Sequence, residues 1–155
     1  MGFDKMNRTN KGEDMGLDQH AHLRGHKVNW EKYFDDDTEE NSKVFVWRKH
    51  ARLQEFMARK WAEQNPQIKV EGMLAHLGFN GDQEAPCYMT KEVVDDLRKA
   101  IDNGFSDYVA EDGFFWGQQF QEESVKEYKE QDIKFLKFCE QAIDEKKVVE
   151  YWCSW

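Results

Sequence analysis

The apolar mass of this chain sits in rings, and that limits what it can fold into. Among 155 residues, 14% are aromatic, with 11 Phe, 6 Trp and 5 Tyr, while 39% are hydrophobic in all and 34% are charged. Aliphatic side chains are sparse. Each buried ring covers about 150 to 250 Å², so a few rings drawn from distant stretches must build the core. At roughly 100 to 200 residues per domain, the length allows one domain and a tail. No apolar run approaches the ~18 residues of a membrane span, so a soluble chain with no membrane partner is expected.

The charge narrows the partners. A net charge of −9 and a pI near 5.1 argue against holding nucleic acid through phosphate neutralisation, which needs clustered Lys and Arg. They favour a basic partner, or mimicry of DNA by carboxylates. Cys87, Cys139 and Cys153 are odd in number and far apart, which indicates neither a zinc site nor a disulfide framework. The first residues lack the apolar region of a secretory signal, so a reducing cytosol is expected.

Residues 1 to about 28 show neither a helical nor a strand period. Five acids follow, Asp35, Asp36, Asp37, Glu39 and Glu40, a run that repels itself unless a basic partner neutralises it. Residues 1–42 are therefore expected to be a flexible polar and acidic arm, with those five acids as candidate partner contacts, and residues 43–155 a single α+β domain. Val44 to Trp47 reads as a strand feeding a helix that carries Leu53, Phe56, Met57 and Trp61 and ends before Asn65-Pro66. A second short extended piece includes Cys87, Tyr88 and Met89. Thr90 stands as an N-cap, Val93, Val94, Leu97, Ala100 and Ile101 form one stripe, and Gly104 suits the left-handed C′ position. Ser124 and Glu127 fit a capping box that opens a long helix to about Glu145. Val148 to Trp155 reads as a strand that pairs with Val44 to Trp47. The expected architecture is two or three short strands packed by about three helices.

Three features stand out as candidates for chemistry. Arg48, Lys49 and His50 follow Trp47 at a strand-to-helix junction, where side chains project into a pocket. In an acidic protein this spot suits an anionic planar ligand such as a nucleotide, with Arg on phosphate and a ring on the base. It equally suits Arg48 and Lys49 answering surplus carboxylates. Gly113-Phe114-Phe115-Trp116-Gly117 implies a tight loop, either a stacking wall or a plug over the core. Asp132 interrupts an apolar stripe and must find a partner, with Arg48, Lys49 or His50 available. The ligand site is thus expected to hold Trp47, Arg48, Lys49, His50, Phe114, Phe115, Trp116, Asp132, Tyr151 and Trp152. No cofactor and no metal is expected. His20, His22 and His26 resemble a metal cluster by composition but lack a fixed ligand spacing. Phosphate loops, dinucleotide fingerprints, nucleophile elbows and zinc helices are absent from the sequence.

With W-R-K-H at Trp47 to His50, T-K-E-V-V-D-D-L at Thr90 to Leu97, G-F-F-W-G at Gly113 to Gly117, Q-D-I-K-F-L at Gln131 to Leu136 and Y-W-C-S-W at Tyr151 to Trp155, the chain resembles a family of small proteins of cyanophages and other tailed phages. The resemblance covers about Val44 to Trp155. Family members carry WRK before a helix, then GFFFG, an aspartate-bearing helix and a Y-x-S-W-W ending. This chain departs in its long first segment, in Trp116 and in its single final Trp. Such proteins often bear the label phosphoglycerate kinase, which fails physically, since 155 residues cannot supply two large closing domains. The resemblance implies an accessory protein in the cytoplasm of an infected bacterium, acting by binding. It would sequester a nucleotide-like ligand or inhibit a host or defence protein. An acidic DNA-mimic interaction module and a small enzyme using a His50–Asp132 acid–base pair are the competing expectations. Homo-oligomerisation is compatible with so many rings to cover.

Overall fold

The computed structural model describes residues 17–35, 38–67, 85–110 and 117–154. In chain order the elements are β1 (Asp18–Leu23), α1 (Trp30–Phe34), a 3-10 turn (Glu39–Ser42), β2 (Phe45–Arg48), α2 (Ala51–Gln64), β3 (Cys87–Tyr88), α3 (Lys91–Asp102), a second 3-10 turn (Ser106–Tyr108), α4 (Gln118–Glu127), α5 (Lys129–Asp144) and β4 (Val149–Ser154). The fold is α+β. Its sheet has four strands, one or two more than expected, in the order β2-β1-β4-β3, and every pairing is antiparallel. No helix among the described residues is long and apolar enough to cross a membrane.

The register sorts the side chains between two faces. Phe45 and Trp47 of β2 stand opposite Ala21 and Gln19 of β1, which in turn face Tyr151 and Cys153 of β4. These residues make the inner face, which packs on α2, α3 and α5 in one core. Trp47 meets Phe135 of α5 edge-on, with ring centroids 5.0 Å apart, and Phe45 packs on Phe135 and Phe138. Large rings on the flanking strands leave β1 only room for Ala21 and the slender Gln19. Asp18, His20 and His22 point the other way, where Trp30 of α1 sits edge-on to His20 at 5.5 Å.

For residues 17–35 and 38–42 the expected arm is corrected by this arrangement, while residues 1–16 lie outside the described residues. β1 lies inside the sheet, so order begins no later than Leu17, which is fully buried. His26, Asn29 and Glu40 are fastened too: the Glu40 carboxylate accepts from the Asn29 backbone N–H and pairs with His26, both at 2.8 Å. The expected pairing of the last strand with residues 44–47 is likewise corrected, because β1 intervenes between β2 and β4. Finally, the expected capping box at Ser124 is not a helix start. Ser124 lies inside α4, and the chain bends at Tyr128, whose φ of −97° and ψ of 6° separate α4 from α5.

Other expectations hold. α2 ends at Gln64, before Asn65-Pro66. The Thr90 side chain caps α3 by accepting from Val93 N–H, and the stripe from Val93 to Ile101 is buried. Gly104 takes φ of 66°, and Phe105 N–H reaches Ala100 C=O at 2.7 Å while Gly104 N–H reaches Ile101 C=O at 3.2 Å. This is the six-to-one and five-to-two pattern of a left-handed helix stop. α5 ends the same way, with Lys147 and Lys146 bonding back to Ala142 and Ile143, but there Lys146 carries the left-handed φ of 60°. An L-residue is strained in that region and glycine is not. Lys146→Gly is expected to raise the unfolding free energy by about 1 kcal/mol, read as a higher urea midpoint with an unchanged slope.

Candidate functional site

The junction between β2 and α2 is built by a single left-handed residue. Lys49, with φ of 58°, turns the chain from strand to helix, and its N–H donates to Leu17 C=O at 2.8 Å. The turn drives the His50 ring into the core, where the residue has no exposed surface. There the ring lies flat on Tyr128 and edge-on to Phe105, each with centroids 5.4 Å away.

Asp132 binds both neighbours of this turn. Its Oδ1 accepts from the Trp47 indole Nε1 at 2.8 Å, and its Oδ2 stands 2.9 Å from His50 Nε2. Asp132 is 2% exposed and Trp47 fully buried. A carboxylate can remain in such a place because both oxygens are hydrogen-bonded. Gln19 secures the turn from the strand side: its Oε1 accepts from His50 N–H at 2.9 Å and its Nε2 donates to His50 C=O at 3.2 Å. The same Nε2 donates to the Tyr151 hydroxyl at 2.8 Å. Tyr151 donates onward to Gln54 Oε1 at 2.7 Å, and Gln54 reaches Cys153 Sγ. Burial pushes the Tyr151 hydroxyl well above its ordinary range, and it pushes the Cys87 and Cys139 thiols up as well.

α4 and the bend after it cover the junction from outside through one stripe. Gln121 receives Arg52 Nε, the Ser124 hydroxyl approaches Lys49 C=O, and the Tyr128 hydroxyl accepts from Arg48 N–H at 3.0 Å while facing Arg48 C=O at 3.3 Å. Arg48 turns its guanidinium to Asp18, at 3.5 Å. The carboxylate partnership foreseen for Arg48 is thus with β1.

These positions correct the ligand pocket expected from the sequence. Trp47, His50, Asp132 and Tyr151 do come together, but in a sealed hydrogen-bond network that no ligand reaches. Trp152 lies on the opposite face of the sheet, in register with His20. Arg48 and Lys49 remain partly exposed at the rim, and Phe114, Phe115 and Trp116 fall outside the described residues. The His50–Asp132 pair exists as a contact, yet a ring without exposed surface cannot exchange a proton with a bound substrate. Of the five acids expected to meet a partner, Asp35 and Glu39 are exposed, Glu40 is turned inward, and Asp36 and Asp37 lie outside the described residues.

The histidines of the first segment do gather. His20 and His22 stack at 5.4 Å, and His26 stands 6.1 Å from His22. Among the described residues, however, no group of three His, Cys, Asp or Glu side chains is placed to hold a metal ion.

Sequence reasoning missed a groove of about 860 Å³ between the 3-10 turn and α5, lined by Thr38, Asn41, Ser42, Phe45, Lys134, Lys137, Phe138 and Gln141. The Phe45 and Phe138 rings, 5.2 Å apart, form its apolar part, and the exposed ammonium groups of Lys134 and Lys137 border it. The visible signal was Lys134-x-x-Lys137 beside Phe138, two cations one helical turn apart. Its other wall comes from a segment expected to be an arm, which hid the juxtaposition.

No family model matches the chain, and no curated protein or solved structure is significantly similar to it.

Two expected outcomes test the network and the outer face. Asp132→Ala leaves Trp47 Nε1 and His50 Nε2 buried without a partner, so it should destabilise by roughly 3 kcal/mol or more in urea unfolding. Asp132→Asn, which keeps an acceptor and the shape, should lose clearly less. His20 supplies the pH dependence: burial, assisted by neighbouring His22, lowers its pKa from 6.5 to about 4. An unfolded His20 takes up its proton near pH 6.5 and the folded one only near pH 4. Stability should therefore fall as pH drops through that window, by on the order of 3 kcal/mol in total. About 2 kcal/mol of this should be lost between pH 7 and pH 5, read from the unfolding free energies at the two values, and His20→Gln should flatten the difference.

Proposed function

We propose that this chain acts by binding, as an accessory protein in the cytoplasm of a phage-infected bacterium would, and that it sequesters a nucleotide-like anion in the groove between the 3-10 turn and α5. The observation that carries this reading is the meeting of two lysines and two phenyl rings in one concavity of a chain with net charge −9. Lys134 and Lys137 are suited to a phosphate, Phe45 and Phe138 to the apolar face of a base, and Thr38, Asn41, Ser42 and Gln141 offer hydrogen bonds at the rim. The volume lies in the ~300 to 1,000 Å³ range of small-molecule sites. Catalysis is disfavoured because the one acid–base pair near the junction is committed to holding the core.

Calorimetric titration with nucleoside monophosphates and cyclic nucleotides tests it. Binding is expected in the wild type and should weaken by about tenfold or more in the Lys134→Ala/Lys137→Ala variant. Absence of heat at millimolar ligand would remove the proposal.

A second reading, inhibition of a basic host or defence protein, draws on the exposed carboxylates of α3 and α4, among them Glu92, Asp95, Glu122, Glu123 and Glu127. Long-range attraction of that kind is screened by salt. Recovery of one host protein from lysate that falls steeply with salt would favour it over the ligand.

A further inference from the structure

β1 and β2 are antiparallel neighbours, with Ala21 opposite Phe45, yet the chain between them runs from Arg24 to Val44, where a hairpin needs only about 2 to 5 residues. Compact loops whose ends meet and whose side chains pack on one another are frequently functional. Much of this one is held by its own contacts. Trp30, Tyr33 and Phe34 of α1 pack ring on ring, with centroids 5.1 to 6.2 Å apart. Thr38 Oγ1 donates to Lys32 C=O at 2.6 Å and Asn41 Nδ2 donates to Tyr33 C=O, which joins α1 and the 3-10 turn into one piece. α1 buries none of its residues and the turn buries only Glu40, so the piece is seated on the sheet and not built into the core. The chain enters it through Gly25, whose φ of 86° is one that glycine adopts without strain.

Three of the chain's five histidines line the seat. His20 meets Trp30 edge-on at 5.5 Å and stacks on His22 at 5.4 Å, and His22 stands 6.1 Å from His26. His26 in turn bonds the Glu40 carboxylate, which also takes the Asn29 N–H, so the row runs from the sheet to the latch that fixes the turn. The charged groups around His20 are matched with one another. Asp18 on its own strand is 3.5 Å from Arg48 of β2, Glu150 of β4 is 3.9 Å from Arg24, and Glu40 is on His26. Val46 and Trp152 stand opposite His20 in the sheet, and Lys27, Glu31, Lys32, Asp35, Glu39 and Lys43 of the connection are exposed. A proton on His20 would therefore sit beside His22 and the Trp30 ring, with no carboxylate among the described residues paired to it. Burial and His22 accordingly hold its pKa down from 6.5 to about 4, and the seated arrangement favours the neutral ring.

We propose that α1 and the 3-10 turn form a lid that protonation of His20 lifts from the sheet, opening the groove along α5. Thr38, Asn41 and Ser42 of the lid line that groove opposite Lys134, Lys137 and Phe138, so lifting removes one wall and leaves the other in place. A His20 ring freed of Trp30 regains water and takes its proton more readily, so acid favours the open form. The motion is local and precedes unfolding of the core, and it does not depend on what the groove holds.

Native-state hydrogen exchange on the full chain at pH 7 and pH 5, in low urea, tests it. The Tyr33, Asn41, Lys43 and Val44 amides, each hydrogen-bonded within the connection, report the lid, and Leu97 and Ile101 of α3 report the core. After correction for intrinsic exchange, the lid's opening constant should rise at least about threefold from pH 7 to pH 5. The ceiling is about twentyfold, reached if opening returns the His20 pKa fully from about 4 to 6.5. Lid opening should depend weakly on urea, whereas α3 exchanges through an opening that rises steeply with it. His20→Gln should lose the rise. An equal lid constant at the two pH values, lid amides sharing the constant and urea slope of α3, or a rise retained in His20→Gln would each overturn the proposal. The first two are read in the wild type and decide the matter even if the variant fails to fold. Nucleotide titration at pH 7 tests the groove separately, since no heat there together with an acid-opened lid removes the ligand and keeps the lid.

Discussion

A backbone that leaves regular structure inside a core must still satisfy its N–H and C=O groups, and this fold meets that demand with side-chain amides. Gln19 takes both backbone groups of His50, Gln64 both of Tyr88, and Gln121 both of Ala110. Each carboxamide presents one acceptor and one donor side by side, so it pairs with a single residue much as a neighbouring strand would. The three anchored residues stand where an element begins or a loop departs: the start of α2, the end of β3, and the segment between the second 3-10 turn and α4. Without the Gln19 contact, the left-handed turn at Lys49 would bury the His50 N–H unpaired and leave its C=O only the bond from Gln54 N–H.

The same device closes the sheet. β2 and β3 are its edges, and exposed edges invite pairing with another chain. On β2, Gln131 Nε2 occupies Val46 C=O at 2.6 Å and the Tyr128 hydroxyl occupies Arg48 N–H. On β3, Gln64 occupies both groups of Tyr88. The helices thus do more than cover the inner face, because their polar residues also end the ladder on each side. This is why the bend at Tyr128 matters: it aims one stripe, Gln121 through Tyr128, at the β2–α2 junction and leaves Gln131 and Asp132 at the start of α5 free to reach β2 and the core.

What the sequence made legible follows from that division. α3 was readable because its buried stripe is wholly apolar and its cap and stop use the expected Thr90 and Gly104. β2 and α2 were readable from the change of period after Trp47. β1 was not, since its inward positions hold Gln19 and Ala21, a polar group chosen for hydrogen bonding and a methyl chosen for space, so the alternation that marks a strand is missing. Ser124 imitated a helix start because its spacing to Glu127 is right, while tertiary packing set the break four residues later. The meeting of Trp47, His50, Asp132 and Tyr151 was anticipated, but not that it would be sealed. Periodicity says which residues converge, and the closure depends on Gln19 and Phe105, which carry no such signal.

That closure also changes what a shared sequence pattern can mean. The sequence pattern from which a tailed-phage family was expected includes Trp47 and His50, the aspartate of α5 and the tyrosine of β4. In this chain those are members of one buried hydrogen-bond network, each needed to keep another from being orphaned. A pattern of this kind reports a common core, because removing any member exposes the rest to a desolvation cost. It carries no information on the ligand. Ligand chemistry is then better sought where the chain departs from core logic, as where Lys134 and Lys137 border the half-covered rings of Phe45 and Phe138. Exposed cations and half-covered rings contribute little to folding, so a groove that gathers both is a feature that core packing does not account for.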